Sequence, residues 1–134
     1  MTSLLRPGFF LHVVPAFLYV MAVFVGGLLP IDVASRIGLR LGDKLIHAVA
    51  FAFMQVVLSR AMAFVWPGLR VRLVTVLGVL GSAALGGLLE LFQAATPHRA
   101  AELADFVADT LGALIAGAVA WRLAHRGERG VDAT

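Results

Sequence analysis

The 134-residue chain is 60% hydrophobic and only 14% charged, with a mean hydropathy of +0.94, whereas an ordinary water-soluble domain is about 45–50% apolar and 25% charged. These numbers describe a membrane protein of one domain, about 1–134, with no room between its apolar segments for a separate soluble module. The net charge of +3 comes from scattered arginines rather than a basic face, which excludes nucleic acid as the expected partner, and the absence of cysteine excludes disulfides and thiolate metal sites.

Four stretches reach the roughly 20 apolar residues needed to cross about 30 Å of hydrocarbon. The first spans about residues 9–29, where Pro30 and Asp32 close it. Its apolar run exceeds the roughly 7–15 residues of a signal-peptide core, which disfavours a cleaved signal. Pro15 predicts a kink or a softened turn within it. Next, "IDVASRIGLR" sets Ile31, Ala34, Ile37 and Leu41 apart from Asp32, Ser35, Arg36 and Arg40, a pattern expected of a short helix lying on the membrane surface. The second segment covers about 45–66 and ends at "WPG", where Trp66 suits the interface and Pro67-Gly68 makes a turn. The third and fourth cover about 73–92 and 103–123, separated by "QAATPHRAAE", in which Pro97 breaks any continuous helix. The expected fold is therefore all-α, an integral membrane bundle of four transmembrane helices with a short interfacial helix between the first two.

Four crossings bring both termini to one side. Arg6, Arg60, Arg70, Arg72, Arg122, Arg126 and Arg129 fall on or near that side, against Arg36, Arg40, Lys44 and Arg99 on the other. The positive-inside rule makes the richer side cytoplasmic, with both termini there.

The polar residues within the apolar segments then collect at the opposite, extracytoplasmic end. Asp43, Lys44 and His47 open the second segment, Glu90 and Gln93 close the third, and Glu102, Asp105 and Asp109 open the fourth. Residues three or four apart share a helix face, so each segment end carries one polar stripe. Behind Glu90 at fourfold spacing lie Gly86, Ser82 and Gly78, and behind Asp109 lie Ala113 and Gly117. Small residues of this kind let membrane helices approach closely, which turns Glu90 and Asp109 into the bundle. A carboxylate near hydrocarbon costs several kcal/mol unless it is paired, protonated or hydrated.

Plainer roles suit other polar residues. His12 reads as a packed or interfacial histidine, Gln55 and Arg60 as packing or snorkelling groups, and Arg122, His125, Arg126 and Arg129 as an orientation signal that meets anionic lipid. Asp43 and Glu102 suit helix starts through the dipole. A structural lock of Glu90 with Arg99 or Lys44 is the plain alternative for the cluster itself.

The sequence order "DKLIHAVAF", "GLLELFQ" and "PHRAAELADFVADTLGALIAG" resembles the VanZ-like family of small membrane proteins, over about residues 43–117. That family's pattern runs D-K-x-x-H, then G-x-x-x-E-x-x-Q, a short loop with Arg, and D-x-x-x-N-x-x-G. The resemblance selects Asp43, Lys44, His47, Gly86, Glu90, Gln93, Arg99, Asp105, Asp109 and Gly112, with Asp109 standing where the family usually has Asn. The family's name comes from a protein associated with resistance to the glycopeptide teicoplanin, and the resemblance implies no settled reaction.

The leading expectation is a site for a membrane lipid or a lipid-linked anionic precursor of the cell envelope. His47, Glu90 and Asp105 are the candidate catalytic groups, with His47 as acid or base. Asp43, Lys44, Gln93, Arg99 and Asp109 are candidates for substrate binding, with Lys44 and Arg99 as cationic partners of phosphate. Glu90, Asp105, Asp109 and His47 also have the oxygen and imidazole donors that suit a divalent cation. No established catalytic signature is present, so a non-enzymatic masking protein and a small proton-coupled transporter are the alternatives. The acids' position at one end, rather than mid-membrane, weighs against transport. Substrate, metal and oligomeric state stay open.

Overall fold

The structure, a computed structural model, describes residues 7–29, 42–97 and 101–131. Four helices make up its regular structure: α1 (Pro7–Leu28), α2 (Asp43–Val65), α3 (Val71–Ala94) and α4 (Leu103–Val131). All four contain a span long and apolar enough to cross a membrane, and in α4 that span ends at Ala124. The interfacial helix expected around Ile31 to Leu41 lies outside the described residues, as do His98 and Arg99.

Helix ends follow local chemistry. The α2 helix stops at Trp66, whose backbone N–H still bonds to the Met62 carbonyl at 2.8 Å before Pro67 and Gly68 turn the chain. The α3 helix ends where Thr96 donates its hydroxyl to the Phe92 carbonyl at 2.8 Å, one residue before Pro97. The α1 helix runs through Pro15 as a single helix. The α4 helix extends beyond the expected end near Leu123, because residues too polar for lipid remain compatible with a helix in water.

The contacts establish an up-down-up-down bundle. His12 near the start of α1 stacks on Phe64 near the end of α2, with ring centroids 5.4 Å apart, while Gly27 at the end of α1 meets Leu89 and Gln93 near the end of α3. At the other end of the bundle from Gln93, Arg72 early in α3 lies 5.3 Å from the Trp121 ring late in α4. The α2, α3 and α4 helices form the packed centre, and α1 lies mainly against α2, tied by the Tyr19 hydroxyl donating to the Ala50 carbonyl at 3.0 Å. Phe51, Met54 and Leu89 form the buried apolar core. Most large apolar side chains, including Phe10, Phe17, Leu80 and Ile115, instead face outward, as lipid-facing walls require.

Each central helix contributes one inner stripe at fourfold spacing. On α2 it is Asp43, His47, Phe51, Gln55 and Ser59; on α3 it is Gly78, Ser82, Gly86 and Glu90; on α4 it is Asp105, Asp109, Ala113 and Gly117. The small-residue faces expected on α3 and α4 are thus the faces that pack. The closest approach is at Gly112, where a Cβ would run into the Ala48 carbonyl. Only a residue without a side chain lets the α2 and α4 backbones meet there, one residue beyond His47 and three beyond Asp109.

Candidate functional site

That crossing brings the start of α4 against the start of α2. His47 Nδ1 lies 2.9 Å from Asp109 Oδ1, with the His47 side chain 11% exposed and that of Asp109 fully enclosed. An ionised carboxylate only accepts, so in this pairing the Nδ1–H of His47 donates. The other ring nitrogen, Nε2, faces Asp105 Oδ2 at 3.9 Å. Above this pair, Lys44 Nζ bonds Asp105 Oδ1 at 2.9 Å and Glu102 Oε2 at 3.0 Å. Lys44 and Glu102 are half exposed, while Asp105 is buried. The cluster therefore has an exposed ionic rim and a buried floor.

Glu90 closes the floor from α3. Its Oε2 accepts the backbone N–H of Glu102 at 2.7 Å, at the very start of α4. A negative group there meets both an unsatisfied helix N–H and the positive end of the helix dipole. Glu90 is thus joined to α4 by a backbone cap and not, among the described residues, by a lysine lock. Its second oxygen, Oε1, is buried without a hydrogen-bond partner, as is Asp109 Oδ2. Ser82 Oγ shares that condition two turns deeper, but it is neutral and its burial costs far less than that of a carboxylate.

Asp43, His47 and Asp105 form one group of donors, and His47, Glu90 and Asp109 form a second, with the donor atoms of each group within 4.8 Å of one another. Among the described residues the cluster holds five carboxylates, those of Asp43, Glu90, Glu102, Asp105 and Asp109, beside Lys44 and His47. Its charge is negative even with His47 protonated, so it favours a cation or shared protons over a bare anion.

Of the residues singled out from sequence, His47, Glu90, Asp105, Asp109, Lys44 and Asp43 come together at this end. Gln93 turns away: its Nε2 donates to the Gly27 carbonyl at 2.9 Å and fastens α3 to α1. Arg99 lies outside the described residues. Phe51, fully buried one turn below His47, was not among the expected site residues; the fourfold spacing from His47 points to it. Phe51, Met54 and Leu89 put apolar core beneath the cluster.

A helical protein with four membrane-length spans and a charged cluster at one bundle end is the class that this geometry defines. Compared with known proteins, the chain matches no family model, no curated protein and no solved structure.

Proposed function

We propose that this chain is a VanZ-like multi-pass protein of the cytoplasmic membrane, and that its charged end receives the headgroup of a lipid-linked anionic cell-envelope precursor. The observation that carries the reading is the layered cluster itself, with a half-exposed Lys44–Glu102 rim over the buried His47–Asp109 pair. Leu45, Leu91 and Leu103 are exposed beside it. A lipid chain lying against one of those side chains brings its headgroup to the rim without leaving the membrane. The spacing of the residues that resemble the VanZ-like pattern supports the same reading, and the arginine distribution supports placing this end outside the cytoplasm.

In this proposal His47 moves a proton to or from the headgroup, and Asp109 orients its ring. Lys44 meets the phosphate only by loosening its hold on Glu102 and Asp105, and the resemblance supplies Arg99, outside the described residues, as the candidate second cation. The same site serves turnover or simple masking of a precursor. The resemblance makes teicoplanin susceptibility the phenotype to measure.

The test is native mass spectrometry of the purified protein in nanodiscs containing polyprenyl phosphate or the uncharged polyprenol. Wild type is expected to retain the phosphate lipid selectively and His47→Ala to lose it, with product appearing only if the site is catalytic. Equal retention of the two lipids, or binding unaffected by both His47→Ala and Asp105→Asn, overturns the reading. A reporter fused after Thr134 is expected in the cytoplasm; finding it outside reverses the proposed orientation.

A further inference from the structure

We infer that His47, Glu90 and Asp109 form a binding site for one divalent transition-metal ion of the manganese or zinc type. Three residues from three different helices bring one imidazole and two carboxylates within 4.8 Å of one another. Two further observations separate this group from an ordinary acidic cluster. Glu90 and Asp109 are more than nine-tenths buried, and each ends in an oxygen, Oε1 and Oδ2, with no hydrogen-bond partner among the described residues. An unpartnered carboxylate oxygen in such a setting is costly, and one cation held by this donor group offsets the charge of both carboxylates.

The chemistry of the donors selects the ion. Carboxylates suit hard divalent cations, and the imidazole shifts preference from calcium and magnesium towards manganese and zinc. The neighbouring group of Asp43, His47 and Asp105 is the weaker candidate, because Asp43 is exposed and Asp105 already holds Lys44 at 2.9 Å. Gly86 keeps the inner site open: a Cβ there would lie 2.9 Å from Asp109 Oδ2 and 3.3 Å from the Phe51 ring. Asp105 Oδ2 lies 3.9 Å from His47 Nε2 and joins the donor group to Lys44 at the rim.

A metal here also offsets the negative charge that would otherwise repel an anionic headgroup, but it takes the imidazole lone pair, so in the metal-bound protein His47 is a ligand and not the acid or base; the site stands without the lipid reading. The full-length protein, stripped with EDTA in detergent, is titrated with Mn²⁺ and followed by electron paramagnetic resonance. One ion per chain is expected to bind, with electron spin-echo modulation from a coordinated imidazole nitrogen. Asp109→Asn, which keeps the side chain's volume, is expected to lower affinity by about tenfold or more. His47→Ala removes the nitrogen modulation, and the wild-type spectrum reads imidazole coordination even where that variant fails to fold. Absence of Mn²⁺ binding, a bound ion without nitrogen modulation, or affinity unaffected by Asp109→Asn overturns the site. The titration contains no lipid, so its failure and a failure of lipid retention are separate outcomes, each bearing on its own proposal.

Discussion

Two buried polar groups lie on the same inner face of α2, and they differ in how they are satisfied. Two turns below His47, the Gln55 amide accepts the Ser59 hydroxyl at 2.7 Å and donates to the Thr75 carbonyl at 3.4 Å, packed against Gly78 and Gly117. It is neutral, enclosed and bonded at both its oxygen and its nitrogen. The cluster at His47, Glu90 and Asp109 is charged and leaves two carboxylate oxygens without partners among the described residues. A satisfied polar group in a membrane bundle serves packing, whereas an unsatisfied charged one points to a ligand. Phe51 lies between the two levels on α2.

The largest effect falls on the crossing that supports both levels. Gly112→Ala drives a methyl into the Ala48 carbonyl, and we expect a loss of about 3 kcal/mol, the upper end for overpacking, measured by thermal unfolding in detergent. Wild-type stability in this variant would show that α2 and α4 do not approach so closely. Next comes Gln55→Ala, which leaves a cavity and removes two hydrogen bonds. It should cost about 2 kcal/mol while Mn²⁺ affinity stays at the wild-type value.

Asp109→Asn should do the reverse. The Asn carbonyl oxygen still accepts from His47, so metal-free stability changes by less than about 1 kcal/mol while Mn²⁺ affinity falls by about tenfold or more. A larger stability loss in Asp109→Asn than in Gln55→Ala would break the comparison and make the cluster a structural lock. The smallest effect belongs to Glu102→Gln. Its ion pair with Lys44 is half exposed on both sides and Lys44 keeps its bond to Asp105, so the unfolding midpoint should barely move, and Mn²⁺ affinity should stay near the wild-type value.

Much of this was legible in the sequence because hydropathy and fourfold spacing are local signals. They marked the four spans and the faces bearing Gly78, Ser82, Gly86, Glu90, Asp109, Ala113 and Gly117, and they placed Gln55 as a packing group. They could not specify partners across the bundle. Lys44 reaches Glu102 and Asp105, 58 and 61 positions away, and nothing near Lys44 encodes that choice over Glu90. Glu90 caps the start of α4, and Gln93 leaves the cluster for Gly27, because backbone groups that open or end helices compete for side chains and carry no mark in the sequence. The length of α4 escaped for a different reason: hydropathy reports where lipid ends, not where the helix does.

The most direct measurement is the change in unfolding midpoint on adding Mn²⁺ to wild type, Gln55→Ala and Asp109→Asn. At a hundredfold excess over the dissociation constant, a ligand of the folded state contributes about 2.7 kcal/mol. The wild type and Gln55→Ala should therefore rise by several degrees together, with Asp109→Asn, its affinity lower by about tenfold or more, rising by about half as much or less. Equal shifts in all three proteins, or none in the wild type, would contradict the assignment of the unsatisfied cluster as the ligand site and the Gln55 level as the packing lock.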